Sequence, residues 1–564
     1  MYYMPVYEAS KISVMGEETL ELIRNKNIQR NKELLSKLNI HEAYNAISPP
    51  PKIGKSSKKS KERVTKPSLV PIRRSRRLAN TPENDEEIKK EQEDQEKARL
   101  ENERLRDARS RLLSGDFYLL DLLSDIRLGY LRYEDRVLGK NIKKDTVTEV
   151  EDTEKHDLDE KLKVLASIEQ NIRRSSSETE SLTSTDITPK KKKIEELQFF
   201  NGQDPSKLKL TLLRITCLHF HLSTNDRLVF GGDTSGNIGI WSVDQTMEED
   251  EPLIITFKPH GKSVSKFCEI PHNQSQVLSS SYDGSIRITD LAKQQSIDIL
   301  SLDDSDGEAI GVSDTCMPSG QPSLLYCTTL DGRLYQFDMR EKRRIHNTQK
   351  MMRLHDKKIG GFSVNPNREY QIATSSLDRS LRLWDLRNVS KRNSLSELDN
   401  DTASPHFYGG YSSRLSISIV DWNSENHLVC NGYDNTIRLF DLSGNSKTSN
   451  VNDWKKDFAL HRGHTGGDIT YAMKPFKSIS HNCQTGRWVS ILKARWQKDP
   501  QDGIQKFVIG NMNRSFDIYT QEGSLIAQLF EPEFMTAVPS VVSFHPTHNW
   551  IVGGTSAGKV YLYT

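Results

Sequence analysis

The chain lacks the features that define several protein classes. No run among its 564 residues approaches the roughly 18 apolar residues of a membrane span. The N-terminus has neither the basic start nor the apolar core of a signal peptide. Only 35% of the residues are hydrophobic, whereas 28% are charged. A chain this poor in apolar residues is predicted to be partly disordered. The missing membrane span and signal peptide predict a soluble, intracellular protein that has no membrane partner.

Cysteine pairs and a dominant charge are absent as well. The six cysteines are scattered and none forms a CxxC pair, which argues against zinc-finger and dithiol sites. We expect reduced, mostly buried thiols. The 79 basic and 77 acidic residues leave a net charge of +2. Nucleic-acid binding would therefore have to come from local basic patches.

Catalytic signatures are also missing. We find no nucleophile elbow, HExxH or dinucleotide fingerprint. Residues 553–559 match the GxxxxGK part of a phosphate loop, but Val560 stands where Ser or Thr would be needed, so a turn is predicted. Cys217, His219 and His221 alternate on one strand face without an evident fourth ligand. The sequence predicts a non-enzyme with no catalytic residue, metal, cofactor or small-molecule substrate.

Residues 1–200 form a charged region that is predicted to be partly helical or disordered. Residues 17–39 have near-helical apolar spacing and could dock on a partner. Residues 52–77 hold eleven Lys or Arg and one acid, and 190–193 are four lysines. Such clusters suit nuclear import or phosphate contact, or they simply keep a disordered tail solvated.

A repeat begins after residue 201. Seven copies each combine a Gly, Asp or Asn turn with an alternating strand. Their landmarks are spaced 48, 48, 47, 56, 79 and 44 residues apart at Trp241, Thr289, Phe337, Trp384, Phe440, Tyr519 and Tyr563. A period slightly above about 40–45 residues is typical of WD repeats. We predict an all-β, seven-bladed propeller over 201–564, because single copies cannot bury their apolar faces alone.

Two irregularities lead to further predictions. The chain ends directly after the seventh motif strand, which would leave an unpaired edge. A segment within 197–212 is therefore expected to supply the missing strand. The spacing of 79 predicts an insertion at about 443–507, which contains aromatic and histidine residues and is interpreted as functional.

Longer motifs resemble one family. Ser375–Arg387 looks like its fourth-blade signature, and Thr485–Trp488 followed by Leu492–Trp496 looks like its sixth-blade insertion. On these residues the chain resembles the fungal DNA damage-binding WD-repeat proteins, or changed mutation rate family, which are related to the small subunit of the UV-damaged-DNA-binding complex. The resemblance implies binding to double- and single-stranded DNA, preferring UV-damaged DNA, in DNA metabolism and the damage response. It implies a nuclear protein, with a cytoplasmic share left open.

The same resemblance implies a set of DNA-binding residues. These are Arg214, Lys262, Lys357, Lys358, Arg414, Gln484, Arg487 and Trp488. Independently of the resemblance, the first five lie in loops that enter inner strands, and such loops share one face of a propeller. Each charge taken singly could be a solvated rim residue, and Trp488 could equally be a core aromatic. The chain has Cys-Gln-Thr where the human-type relative wedges Phe-Gln-His into the duplex.

A second interpretation is a protein-interaction scaffold. Arg340 and Arg387 follow strand-ending aspartates and resemble the motif by which some propellers dock on a cullin ubiquitin-ligase adaptor. The chain could then be a ubiquitin-ligase substrate receptor or a platform for histones and other chromatin proteins. The two interpretations can coexist.

Overall fold

The computed structural model describes residues 115–122, 160–168, 194–247, 251–270, 273–304, 308–341, 351–397, 402–443, 473–483 and 489–564. All of them belong to one compact unit, Glu87–Thr564. The predicted helix 17–39 and both lysine-rich clusters lie outside the described residues, and the division into 1–200 and 201–564 stays a prediction. In these ranges, no helix combines the length and the apolar character needed to cross a bilayer.

The described residues form seven antiparallel sheets that follow the chain in order. Strand β1 (Phe117–Tyr118) precedes them. Blade 1 contains β2 (Ile215–Phe220), β3 (Leu228–Asp233), β4 (Ile238–Thr246) and β5 (Pro252–Phe257). Blade 2 contains β6 (Val264–Glu269), β7 (Gln276–Ser281), β8 (Ser285–Asp290) and β9 (Gln295–Ser301). Blade 3 contains β10 (Val312–Cys316), β11 (Leu324–Thr329), β12 (Arg333–Asp338) and β13 (Met351–Arg353).

The second half of the chain continues the pattern. Blade 4 contains β14 (Ile359–Val364), β15 (Gln371–Ser376), β16 (Ser380–Ser390) and β17 (Ser404–Ser412). Blade 5 contains β18 (Ile417–Trp422), β19 (His427–Gly432), β20 (Thr436–Asp441) and β21 (Lys477–Ser480). Blade 6 contains β22 (Arg495–Trp496), β23 (Lys506–Gly510), β24 (Phe516–Thr520) and β25 (Leu525–Leu529). Blade 7 contains β26 (Val541–Phe544), β27 (Ile551–Gly554) and β28 (Val560–Tyr563).

Neighbouring inner strands contact one another around the whole series, and β26 of blade 7 contacts β2 of blade 1. The predicted seven-bladed propeller is therefore confirmed. Apolar side chains of facing blades form the core between them, with Trp241, Trp384 and Trp422 fully buried. This layered burial is what a single repeat could not achieve by itself.

Each blade turns between its second and third strands through a residue with positive φ. These residues are Gly236 (90°), Gly284 (85°), Gly332 (92°), Arg379 (72°), Asn435 (58°), Arg514 (67°) and Gly558 (81°). Glycine adopts this conformation without steric cost. The match at residues 553–559 to a phosphate loop is thus the seventh of these turns, as predicted.

The segment before blade 1 closes the ring. Gln198 and Thr564 exchange backbone hydrogen bonds of 3.1 and 3.0 Å, and Phe199 and Lys209 form antiparallel bridges to Tyr563 and Lys559. A Cβ atom on Gly558 would lie 1.8 Å from the Thr211 carbonyl oxygen, so this close approach requires glycine. The predicted closing segment within 197–212 is confirmed.

A second stretch of the N-terminal half attaches to blade 2. Strand β1 pairs antiparallel with β9 and makes this sheet five-stranded. The buried Arg287 donates hydrogen bonds to the Gly115 carbonyl and to Ser296 Oγ at 2.5 and 2.9 Å. A helix over 160–168 contributes three buried residues to the same core. The outer edge of blade 2 is therefore covered by its own chain.

Buried polar groups connect strands within the blades. In blade 4, the Trp384 indole donates to Thr374 Oγ1 at 2.9 Å, and His355 Nε2 lies 2.7 Å from that hydroxyl. His355 Nδ1 in turn lies 2.7 Å from Asp378. Burial lowers the pKa of His355, which favours the neutral ring. Such a network is strong because each buried group has its partner.

The inserted residues between the fifth and sixth repeat landmarks fall into two connections, one within blade 5 and one between blades 5 and 6. Residues 442–476 join β20 to β21, and residues 481–494 join β21 to β22. Because successive strands are antiparallel, these two connections start at opposite ends of the blade. Arg495–Trp496, which the sequence pattern grouped with the insertion, instead forms the inner strand β22. The spacing of the repeat landmarks could not show how the inserted residues are divided between these two connections.

Acid stability provides a test of the buried network in blade 2. Asp283 accepts hydrogen bonds from the Gly261 amide and Ser285 Oγ at 2.7 and 2.6 Å. Burial opposes its ionisation, but His260 and these donors outweigh burial and lower its pKa from 3.8 to about 2. The stabilisation is therefore present above about pH 4 and is lost as pH falls toward 2.

We expect Asp283→Asn to lower the free energy of unfolding by roughly 2 kcal/mol at neutral pH and by much less near pH 2. Urea titrations over this pH range measure the difference from wild type. Asp499→Asn, at an exposed position, is the control and should leave stability unchanged. A difference that stays constant with pH would contradict this account of Asp283.

Candidate nucleic-acid interface

The strand order gives the ring two distinct faces. We call the end at which the chain enters each inner strand the upper face, and the opposite end the lower face. Because the strands of a blade are antiparallel, the turns between second and third strands also lie on the upper face. Connections between first and second strands, and between third and fourth, lie on the lower face.

The five rim cations inferred from the sequence all lie on the upper face. Arg214 directly precedes β2, Lys262 precedes β6, Lys357 and Lys358 precede β14, and Arg414 precedes β18. Lys357 and Arg414 are exposed, and the other three are half-buried. The structure therefore brings these residues to one end of the ring, and their role in binding stays a prediction.

Lys358 is positioned by an aromatic residue from another blade. Its Nζ donates to the Tyr282 hydroxyl at 2.8 Å and lies 4.5 Å from the centroid of that ring. Tyr282 belongs to the upper-face turn of blade 2, whereas Lys358 enters blade 4. This cation–π contact fixes a positive charge toward the middle of the upper face.

Two further cations on the upper face were not among the residues predicted from the sequence. Arg379 and Arg514 occupy the positive-φ positions of the upper-face turns in blades 4 and 6, and both are exposed. The left-handed conformation costs a residue with Cβ roughly 1–2 kcal/mol. The signal was present in the repeats, since arginine stands where the other turns have glycine or asparagine.

Turn aspartates on the upper face are engaged by the fold itself. Asp283 accepts from Gly261 and Ser285, and Asp378 lies 3.2 Å from Arg382. Asp434 forms an ion pair with Arg438. Because these carboxylates are occupied, they offset little of the field of the rim cations.

Apolar and aromatic groups accompany the cations. Leu213, Leu377 and Ile491 are exposed by 44%, 38% and 36%, and all lie in upper-face connections. Tyr282 and Tyr433 are half-buried in the turns of blades 2 and 5. Positive charge combined with flat or apolar groups is the composition that single-stranded nucleic acids bind.

The candidate wedge residues Gln484, Arg487 and Trp488 lie outside the described residues. Their flanks lie on the upper face. The Cys483 amide donates to Asn435 Oδ1 at 3.0 Å, and Ser490 Oγ donates to the Ile215 carbonyl at 2.5 Å. The short connection that carries these residues thus starts and ends beside the rim cations.

The two arginines inferred to dock a partner lie on the lower face. Arg387 pairs with Asp385 at 2.7 Å and lies 3.7 Å above the Tyr370 ring, with its side chain 59% exposed. Arg340 pairs with Asp338 and is 77% exposed. Hydrogen bonds from Arg340 lower the pKa of Asp338 to about 2. The two inferred surfaces are therefore on opposite sides of the ring.

Cys217 and His219 of β2 and His221, directly after this strand, are each engaged by protein groups. His221 Nε2 lies 2.6 Å from the Gln274 carbonyl, His219 lies 3.1 Å from Glu269, and Cys217 Sγ contacts the Val264 carbonyl at 3.6 Å. In the described part of the chain, no group of three or more His, Cys, Asp or Glu could hold a metal. Four of the six free thiols are buried.

Comparison with known proteins agrees with this architecture. The WD domain, G-beta repeat, matches residues 251–290 and 347–385. The chain is 44% identical to the DNA damage-binding protein CMR1 of Debaryomyces hansenii, with 96% of this chain and 98% of the relative covered. Identity to proteins of that name is 43% in Meyerozyma guilliermondii, over 96% and 98% of the two chains, and 41% in Candida albicans, over 97% and 100%. The resemblance seen in the sequence is confirmed: the chain belongs to the DNA damage-binding protein CMR1 family.

Proposed function

We propose that this protein binds DNA through the upper face of its propeller and acts in DNA metabolism and the DNA damage response in the nucleus. The observation that carries the proposal is the gathering of seven cations on one face of the ring, five in loops that enter inner strands and two at turn tips. The names of the relatives, as DNA damage-binding proteins, support it. A cytoplasmic share is compatible with this proposal.

Phosphate contacts would supply most of the affinity in this mechanism. Lysine and arginine side chains release counterions from the DNA backbone when they bind it, and this gain is independent of sequence. Arg379 and Arg514 are exposed in the turns of blades 4 and 6, where they can contact a DNA backbone that crosses this face. Half-buried tyrosines and exposed leucines offer surfaces for unstacked bases. Both double- and single-stranded DNA are therefore proposed ligands.

A preference for UV-damaged DNA would follow from the cost of opening the duplex. A lesion has already lost part of its stacking, so the bases around it are displaced at a lower free-energy cost. We propose Gln484, Arg487 and Trp488 as the residues that enter such a site, with Trp488 stacking on a base and Arg487 meeting a phosphate. Catalysis, a cofactor and a small-molecule substrate play no part in this proposal.

A second candidate function is docking of proteins on the lower face. Its specific observation is that Arg387 is held between Asp385 and the Tyr370 ring while more than half of its side chain stays accessible. A ubiquitin-ligase adaptor or a histone-associated protein could bind there while DNA occupies the other side. Pull-down from nuclear extract after nuclease digestion tests this: partners should persist, and Arg387→Ala should release them.

Charge reversal on the upper face is the main test of DNA binding. We expect the triple variant Arg214→Glu, Lys358→Glu and Arg414→Glu to weaken binding of a labelled duplex at least about a hundredfold at moderate salt, because three phosphate contacts become repulsive. The slope of log affinity against log salt should fall in magnitude by about 3. Fluorescence anisotropy at several salt concentrations measures both quantities.

The matched control makes the same change on the lower face. Lys293, Arg340 and Arg368 are exposed in lower-face connections, and their replacement by Glu changes the net charge equally. This control variant should lose duplex affinity severalfold at most, because only the long-range electrostatic field of the protein changes. Equal losses in the two triple variants would reject the upper face as the binding site.

Arg379 allows binding to be separated from folding. Glycine relieves the strain of its positive φ, so Arg379→Gly should unfold at the same or a higher urea concentration than wild type. The same variant should bind duplex DNA more weakly, by about fivefold, because one phosphate contact is lost. Arg379→Lys keeps the charge and should recover most of the affinity. A loss of stability in Arg379→Gly, or undiminished binding, would contradict this role.

A further inference from the structure

A network of charged side chains crosses the central channel. Arg495 of blade 6 lies 3.7 Å from Asp314 of blade 3 and 3.9 Å from Asp421 of blade 5. Lys266 of blade 2 lies 3.6 Å from Asp314, and Lys498 lies 3.1 Å from Asp421. Blades 3 and 6 are on opposite sides of the ring, so these contacts can form only at its axis.

The network carries more positive than negative charge. Lys493, two residues before Arg495 along the chain, joins the same cluster, so that four cations accompany two buried carboxylates. Lys358, at the upper mouth of the channel, also acts on Lys493. An excess of like charges in a partly desolvated channel is unfavourable unless a negative group is added.

The carboxylates have little capacity left for these cations. Asp421 accepts hydrogen bonds from the Trp496 amide at 2.9 Å and from Lys498 at 3.1 Å. Asp314 accepts from the Thr315 amide at 2.9 Å. The Arg495 guanidinium has only the two longer ionic contacts and donates no hydrogen bond to another described residue. Its guanidinium therefore keeps donors that suit two oxygens of one phosphate.

The pKa of Lys493 reflects the same excess of positive charge. Burial and the charge of Arg495, together with Lys266 and Lys358, lower its pKa to about 8, and only Asp314 acts in the opposite direction. Within the described chain its amine has neither a hydrogen bond nor an ion pair. The charged form of such a buried amine is stabilised when an anion binds beside it.

We propose that the upper part of the central channel is an anion site for a phosphate monoester or a short polyphosphate, contacted by Arg495, Lys493 and Lys266. Arg495 and Lys266 are only 17% and 27% exposed, so a duplex cannot reach them, whereas a single phosphate group can. The site is separate from the rim cations proposed for duplex DNA and does not rest on that function. The phosphate could come from a free polyphosphate or from the phosphorylated end of a single strand.

Isothermal titration of the full chain with sodium tripolyphosphate tests the site. Wild type should show one saturable site, and Lys493→Met should weaken it about tenfold, the equivalent of roughly one pKa unit of interaction. Because this lysine has no ion pair to lose, the variant should be at least as stable as wild type. Lys477→Met, the same change at an exposed strand position, should bind like wild type.

Proton linkage gives a second measurement. At pH 8 about half of Lys493 is neutral, given its pKa of about 8. Anion binding to wild type should therefore be accompanied by the uptake of at most about half a proton more than anion binding to Lys493→Met. Titrations in two buffers of different ionisation enthalpy measure this uptake.

A third titration identifies the source of the phosphate. A short single-stranded oligonucleotide with and without a 5′-phosphate is titrated into wild type and Lys493→Met. A gain from the 5′-phosphate that the variant abolishes assigns the site to strand ends, and binding of tripolyphosphate alone assigns it to free polyphosphate. If wild type binds neither, or if Lys477→Met weakens binding as much as Lys493→Met, the proposal is overturned, and the network serves only to join the blades.

Discussion

Closure of the ring is the constraint on which the rest of this structure depends. Blade 7 has three strands of its own where the other blades have at least four, and its edge strand is β28. The segment before blade 1 pairs along this edge and removes the exposed backbone donors and acceptors. Only a closed ring holds opposite blades at a fixed distance. The charged network across the axis and the cations of the upper face both require that geometry.

In the closed ring, the charged side chains of the upper and lower faces have different partners. Aspartates in the upper-face turns contact histidine, serine and arginine side chains of their own blades, as His355 and Asp378 show. Of the five rim cations on the same face, Lys357 and Arg414 are exposed and the other three are half-buried. On the lower face, Arg340 and Arg387 are each paired with the aspartate two residues earlier in the chain. The fold therefore keeps these turn carboxylates from pairing with the rim cations, which strengthens the positive potential around them.

Much of this arrangement could be predicted from the sequence because the repeat fixes strand order. The landmark spacing gave the number of blades, and the missing edge strand gave the closing segment. The position of Arg214 or Lys358 just before an inner strand was sufficient to assign it to a face. Family resemblance then supplied the expectation of DNA binding, which position alone does not provide.

Contacts between distant repeats could not be predicted in this way. Arg495 and Asp314 are far apart in the chain and meet only because blades 6 and 3 face each other across the axis. Pairing of β1 with blade 2 depends on a two-residue strand that has no periodic signal. The landmark spacing indicated extra residues between the fifth and sixth landmarks, but it did not show which connections contain them. Arg379 was missed because a motif position normally held by glycine was read only as a turn.

Binding of DNA at the upper face is the central claim, and hydrogen–deuterium exchange of the full chain with intact and UV-irradiated duplex tests it most directly. The account predicts slower exchange in the connections that contain Arg214, Lys358 and Arg414 and in the turn of Arg379, with stronger protection by the irradiated duplex. Protection confined to the lower-face connections, or no protection by either duplex, would contradict it.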